Sequence, residues 1–135
     1  MKKQELYLEL IKNVLTYSVW PEPPVPISLF NDSRSPVIRW IVSLISRVLH
    51  FWNFILVKNM KYTEKERSEG KIWPLYAHTM VGIKRLDNLQ YCIETVLDKD
   101  IEGDFIEAGV WRGGTCIFMK AILRAYNINN RKIFV

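Results

Sequence analysis

Apolar positions recur at helical spacing through much of this chain, interrupted by a proline-rich stretch and by short continuous apolar runs. From Gln4 to Val19, Leu6, Leu10, Val14 and Tyr7, Ile11, Leu15 form adjoining rows that predict an amphipathic helix, with Lys2, Lys3, Glu5 and Lys12 on its polar side. Trp20-Pro21-Glu22-Pro23-Pro24-Val25-Pro26 cannot continue it, because each proline lacks a backbone donor, so an extended connector is expected to about Ser35. Pro36–Val57 is apolar except for a narrow stripe at helical spacing: Arg39, Ser43, Ser46/Arg47, His50 and Asn53. A helix of that pattern must cover most of its girth. Lys58–Lys71 mixes charges of both signs and predicts a solvated helix or loop stopped by Gly70. Ile83, Leu86, Leu89/Gln90, Ile93 and Val96/Leu97 place one apolar face on a helix over Ile83–Leu97, and Asp98–Gly103 follows as a turn. Phe105-Ile106 suits a short buried strand. Beyond it, Ile117, Ala121, Ala125 and Phe118, Ile122 predict a helix over Cys116–Asn127 with Thr115 as its cap. After a turn at Asn127–Arg131, Lys132-Ile133-Phe134-Val135 begins a second strand. The expected organisation is a helical N-terminal extension over residues 1–60 and the start of an α/β domain over 61–135, truncated after its second strand. An open parallel sheet needs more strands than these, so the pattern reads as the front of a larger α/β domain.

The chain is organised around Asp104-Phe105-Ile106-Glu107-Ala108-Gly109-Val110-Trp111-Arg112-Gly113-Gly114-Thr115, a strand, a glycine-rich turn and a helix start. Such a junction suits a nucleotide-like ligand at the helix N-terminus. The spacing departs from the G-x-G-x-x-G of dinucleotide sites, whose amides face a pyrophosphate. Here Glu107 precedes Gly109 by two, and Gly113-Gly114 follow, a pattern that fits S-adenosylmethionine better. That ligand has no phosphate, and a carboxylate at the strand end accepts from its ammonium. A tight strand–helix turn with a solvated Glu107 satisfies the same pattern.

Composition changes this picture little. The 135 residues are 49% hydrophobic and 24% charged, as in an ordinary globular domain. The net charge of +5 comes from scattered cations mixed with acids, with no basic stripe interleaved by stacking aromatics, and no nucleic-acid partner is expected. Cys92 and Cys116 each sit in an apolar helical pattern and are expected to be buried thiols in a reducing compartment; with no signal-peptide pattern, the cytoplasm is the expected location. Pro36–Val57 falls short of a membrane span, since Arg39, Arg47 and His50 break it. Two readings of it stay open: packing in a protein interface, or lying in a membrane surface. Neither Glu64/Glu66/Glu69 nor Asp98/Asp100/Glu102 forms a convincing metal pair, so no metal ligand and no catalytic residue is assigned.

Two blocks together carry a family resemblance. Trp73-Pro74-x-x-Ala77-His78-Thr79-Met80-Val81-Gly82-x-x-Arg85-Leu86-Asp87-Asn88-Leu89-Gln90, followed by Gly103-Asp104-Phe105-Ile106-Glu107-Ala108-Gly109-Val110-Trp111-Arg112-Gly113-Gly114, resembles the macrocin O-methyltransferase family, of the TylF/MycF type. The likeness is close over about residues 62–135 and looser over 4–19, whereas 20–57 is not distinctive. It implies the N-terminal part of a Rossmann-like, S-adenosylmethionine-dependent methyltransferase fold preceded by helices. It also implies methyl transfer to a sugar hydroxyl aided by Mg²⁺, in natural-product or surface-polysaccharide synthesis, and leans towards a homo-oligomer. Matched by motif, Glu107, Gly109, Arg112, Gly113, Gly114 and Thr115 would surround the methionine part of the cofactor. Thr79 and Met80 would approach from the preceding loop, and Trp73 and Tyr76 would lie near the acceptor entrance.

Plainer roles stand beside these. Thr79 suits a cap for the following helix, Met80 a core filler, Trp111 a packing anchor, and Arg85 with Asp87 a helix-surface pair. His78 is not assigned as a base, since the family's base lies elsewhere. The family's ribose-binding acids, metal-binding aspartates and base are expected beyond Val135. Residues 1–135 alone are therefore expected to lack methyltransferase activity, and sugar methylation by that purified chain would overturn this. The alternative function is a non-catalytic interaction module, or a membrane-surface protein, that keeps a partial cofactor pocket.

Overall fold

A computed structural model describes residues 3–29 and 35–135. Lys2 and positions 30–34 of the expected connector lie outside these. Two compact units emerge. One joins residues 1–21 to 62–135, and the other is 22–61. The first helix thus belongs with the later α/β segment, whereas the sequence groups it with a 1–60 extension.

In the first unit, helices α1 (Lys3–Leu15), α4 (Ile83–Asp98) and α5 (Gly114–Ala125) enclose the core. Phe118, Leu8, Leu86, Ile93 and Ile122 are fully buried there, with Leu15 close behind. The buried row of α1 is Leu8 and Leu15 with Ile11 beside them, while Leu6 and Leu10 face solvent. This corrects the expected Leu6–Leu10–Val14 row. Ile11 and Leu15 of the second expected row face the core, but Tyr7 is 41% exposed, and Leu8, in neither row, is the most buried residue of the helix. Helix α1 also ends at Leu15, four residues before Val19. Tyr17 takes a left-handed φ of 60°, and the Thr16 hydroxyl bonds back to the Lys12 carbonyl, so the turn closes ahead of the prolines. Lys12 crosses to Asp87 on α4 at 2.5 Å, so Asp87 pairs across helices rather than with Arg85.

The short helix α3 (Glu64–Glu69) carries a capping box, in which Thr63 and Glu66 satisfy each other's backbone amides. Those bonds hold the Glu66 carboxyl below its usual range. Gly70, at φ 67°, stops the helix as its position predicts. Helix α4 matches the predicted span to one residue. Strands β3 (Phe105–Ile106) and β4 (Ile133–Phe134) pair in parallel, Phe105 with Ile133 and Ile106 with Phe134, with α5 as the connection. Asp104 accepts from the Lys132 amide at 2.7 Å, and Arg131 donates to the Ile101 and Gly103 carbonyls, which fixes both strand entrances together.

In the second unit, β1 (Val25–Pro26) pairs antiparallel with β2 (Val57–Lys58). Between them runs α2 (Pro36–Phe51), with Pro36 in its first turn and the Ser35 hydroxyl accepting from the Ile38 amide. The helix stops six residues short of Val57: Asn53 is left-handed at φ 59°, and the Phe54 amide returns to the Leu49 carbonyl. No residue of α2 is buried, against the expectation that such a helix covers most of its girth. Among the described residues, no helix is long and apolar enough to cross a membrane.

Candidate functional site

The site forms where the end of β3, the glycine turn and the first turn of α5 meet the backbone of residues 75–79. The Glu107 amide completes the sheet pairing by donating to the Phe134 carbonyl at 2.9 Å, so the side chain of Glu107 emerges at the strand end. Gly109 and Gly113 then take left-handed φ values of 85° and 76°. Space is open where a Cβ would stand at either one. Glycine leaves this room for a ligand to meet the backbone directly.

Helix α5 begins at Gly114, and its cap is Gly113, which offers no side chain. Thr115 therefore lies inside the first turn and does not cap it, because the left-handed turn at Gly113 delivers the chain into the helix two residues early. The Gly114 amide donates to the His78 carbonyl at 3.1 Å. The contact is so close that a Cβ on Gly114 would overlap the His78 carbonyl and the Thr79 side chain. The next amides, of Thr115 and Cys116, have no partner inside the helix and sit at its positive end.

The 73–80 loop is anchored on both sides. The His78 and Thr79 amides both reach the Leu15 carbonyl at the end of α1, at 2.9 and 3.3 Å. Arg112 donates through Nη1 to the Leu75 and Ala77 carbonyls at 2.7 and 3.0 Å, and its guanidinium stacks 4.2 Å from the Trp111 ring. That atom of Arg112 thus ties the glycine turn to the loop. Thr79 is buried, and its hydroxyl accepts from the Val81 amide at 3.3 Å. The cap of α4 is Gly82, so Thr79 closes a turn one step earlier instead of capping the helix. Met80 is half-buried beside it. Trp73 is 61% exposed and meets Trp111 edge-on at 5.7 Å, and Tyr76 meets Tyr17 at 6.0 Å, which in turn packs on Trp20.

Sequence reasoning gave no role of its own to Ala77, which is fully buried, and it missed the Arg112 tie to the loop. Backbone carbonyl acceptors leave no trace in residue type. It also missed the partner of Glu107. Cys116, in the first turn of α5, donates its thiol to Glu107 Oε2 at 2.6 Å. Burial, then the hydrogen bond to Glu107 and the carboxylate's charge, push the Cys116 thiol up to about 11. A folded pKa above the unfolded one stabilises the protonated native state below the ordinary thiol range. That contribution is lost as pH rises from 9.0 through about 11. Cys92, expected to be buried, is exposed on the solvent side of α4.

The two thiols should accordingly react very differently. At pH 8 the thiolate fraction of Cys116 is roughly a hundredfold below that of an ordinary cysteine. Iodoacetamide is expected to label Cys92 first, as read by peptide mass spectrometry over a time course. Comparable rates at both positions would mean that the Cys116–Glu107 contact does not form.

The chain is similar to known O-methyltransferases. The Macrocin-O-methyltransferase (TylF) family matches residues 4–135. A tetracenomycin-C rhamnosyl 4'-O-methyltransferase from Streptomyces olivaceus is 38% identical over 132 residues, which is 98% of this chain and 40% of the relative. Demethyldecarbamoylnovobiocin O-methyltransferase from Streptomyces niveus is 49% identical over 78 residues, covering 58% of this chain and 30% of the relative. Mycinamicin III 3''-O-methyltransferase from Micromonospora griseorubida is 46% identical over 80 residues, covering 59% of this chain and 32% of the relative. The solved structure of the O-methyltransferase NovP superimposes with a TM-score of 0.68 at 34% identity, over 97% of this chain and 40% of that one. The chain spans about two fifths or less of the length of these relatives. With the family matched over nearly its whole length, this chain belongs to the macrocin O-methyltransferase family.

Proposed function

We propose that this chain builds the methionine-binding side of an S-adenosylmethionine site, in a Rossmann-like O-methyltransferase that acts in the cytoplasm on a sugar hydroxyl. The acceptor class is a natural product or surface polysaccharide. One observation carries the reading: the Glu107 carboxylate reaches the first turn of α5 through Cys116, and the turn between them holds Gly109 and Gly113 with open space where a Cβ would stand. A zwitterionic amino-acid tail fits that set. Glu107 gives one oxygen to Cys116 and keeps the other for an ammonium. The positive end of α5 suits the tail's carboxylate. S-adenosylmethionine, when bound, supplies the methyl group. The chain's own task is to hold the tail, with Thr79 and Met80 lining the approach from the 73–80 loop. Arg112 sets the turn by its bonds to Leu75 and Ala77. Thr115 contributes its amide in the first turn. Trp73 and Tyr76 present aromatic surface for a sugar ring at the entrance.

The relatives' sugar-containing substrates support the acceptor class. Mg²⁺ is a different matter. Among the described residues no three of His, Cys, Asp and Glu gather as metal ligands, so these residues do not fit that ion and no step is assigned to it.

Equilibrium dialysis with radiolabelled S-adenosylmethionine tests the reading. Glu107→Gln keeps the shape and still accepts from Cys116 but loses the charge opposite an ammonium. Its affinity is expected to fall by about tenfold to a hundredfold, the range for a hydrogen bond to a charged group. If wild-type protein fails to bind, or Glu107→Gln binds equally well, the site is not the one described.

A further inference from the structure

We infer that the 22–61 unit holds a small organic phosphate, a phosphate ester with an apolar body, in the cleft between α2 and the segment that follows it. Ser43, Ser46, Arg47 and His50 stand at i, i+3, i+4 and i+7 along α2 and so share one face. The chain then doubles back. Asn53 is left-handed, the Trp52 and Phe54 amides donate to the Leu49 carbonyl, and the Asn53 amide donates to that of His50. Phe54, Ile55 and Leu56 thereby come to face the polar stripe. The Ile27 amide donates to the Leu56 carbonyl at 3.0 Å, which brings Ser28 alongside. Together these side chains line a cleft of about 390 Å³. Small-molecule sites ordinarily measure about 300–1,000 Å³.

The donors identify the ligand. The cleft offers a guanidinium, an imidazole and three hydroxyls, and none of these side chains hydrogen-bonds or ion-pairs with another described residue. Among the described residues no carboxylate lines it. Of the unit's two acids, Glu22 is not part of the lining, and Asp32 lies outside the described residues. An anion therefore fits and a cation does not. The number of donors separates the anions. A carboxylate has two oxygens, and the fork of one guanidinium covers both. A phosphoryl group has three strong acceptor oxygens and a larger charge, so it can take Arg47 and the imidazole and hydroxyls as well. The C-terminal end of a helix ordinarily repels an anion. Here the Leu49 and His50 carbonyls are already occupied by the amides of Trp52, Asn53 and Phe54. Opposite the donors, Phe54 and Ile55 leave apolar surface exposed, at 64% and 68%. That surface suits the body of an ester and has no use for inorganic phosphate, which is polar all round. The cleft is independent of the methyl-transfer reading, since no residue of the glycine turn lines it.

Isothermal titration calorimetry of the purified chain with phenyl phosphate, inorganic phosphate and benzoate is the test. Phenyl phosphate is expected to bind saturably and roughly tenfold more tightly than inorganic phosphate, because its ring gains contact with Phe54. Benzoate should bind roughly tenfold more weakly than phenyl phosphate, having fewer acceptor oxygens and less charge. Arg47→Gln should weaken phenyl phosphate roughly tenfold to a hundredfold, as for lost hydrogen bonds to a charged group. Phe54→Ala should remove the advantage of phenyl phosphate and leave inorganic phosphate unchanged. Arg39→Gln deletes the same charge from α2 outside the cleft and should change neither. No residue of α2 is buried and Phe54 is exposed, so circular dichroism of the variants should match wild type. Absence of saturable binding, an Arg47→Gln that binds as wild type, equal losses with Arg47→Gln and Arg39→Gln, or benzoate bound as tightly as phenyl phosphate overturns the proposal. A protein that pellets with vesicles containing phosphatidic acid but ignores phenyl phosphate takes the group from a lipid, which also overturns it.

Discussion

Gly114→Ala is expected to destabilise the first unit by about 2–3 kcal/mol, the usual range for forcing a methyl into a packed site. The added Cβ would collide with the His78 carbonyl, which is backbone and cannot rotate away, and with Thr79 Cβ at 2.8 Å. Relief requires moving the 77–79 segment off the start of α5. That movement would stretch the Gly114 amide bond to His78 and the paired bonds from His78 and Thr79 to Leu15. The neighbouring Gly113→Ala is a control of a different kind. Its Cβ meets open space, so only the left-handed backbone at φ 76° is strained, at about 1–2 kcal/mol. Urea unfolding followed by far-ultraviolet circular dichroism compares the two. Equal costs, or a neutral Gly114→Ala, would show that α5 and the loop do not approach as closely as described. In the proposed site the same change also shifts Thr79, so cofactor affinity should fall with Gly114→Ala more than with Gly113→Ala.

Phe118→Ala is expected to cost about 3–5 kcal/mol, the range for deleting a large ring from a core that cannot collapse around the void. Phe118 is 0% exposed at the meeting of α1, α4 and α5, among Leu8, Leu86, Ile93 and Ile122. The Lys12 ammonium lies 5.6 Å from its ring centre and adds a cation–π contact that alanine also loses. Its neighbour Ile117 is 49% exposed, and Ile117→Ala should stay within about 0.5 kcal/mol of wild type. Urea midpoints of the two variants decide the matter. A small loss at Phe118, or a large one at Ile117, would mean that α5 is rotated from the position found here. The larger loss is a substantial share of the roughly 5–15 kcal/mol by which folded domains are ordinarily stable.

These pairs of neighbours mark the boundary between what residue order carries and what it does not. The sequence presents Gly113 and Gly114 as one glycine pair, and Ile117 and Phe118 as two rows of one apolar helix. Their costs separate only when the surroundings are known. Legibility was highest where a local rule is strong. Gly70 stops α3, the single apolar face of Ile83–Leu97 marks α4, and the apolar pairs Phe105-Ile106 and Ile133-Phe134 mark strands that pair in parallel. Each depends on periodicity or on one residue's backbone preference. The family blocks were legible for a similar reason, since they combine fixed residue types at fixed separation.

Prediction from the sequence failed where two local solutions had equal merit. Thr115 and Thr79 are both good caps by residue type, yet Gly113 and Gly82 hold those positions. Left-handed backbone at Gly113 starts the helix early, and the Thr79 hydroxyl is occupied by Val81. Cys92 and Cys116 share an apolar helical setting, but only Cys116 faces inward, towards Glu107.

By itself, then, the amino-acid order determined the order of helices and strands in the α/β segment, the glycine turn after the first strand, and the family blocks on either side of α4. These follow from short-range backbone sterics and from periodic burial, which act within a few residues. Only the tertiary structure decided which side of α1 enters the core, that Arg112 and Gly114 bind the 75–79 backbone to the glycine turn, and that no residue of α2 is buried. Those outcomes depend on backbone carbonyls and on packing partners far away in the chain, and neither is written in the identity of the residues that meet them.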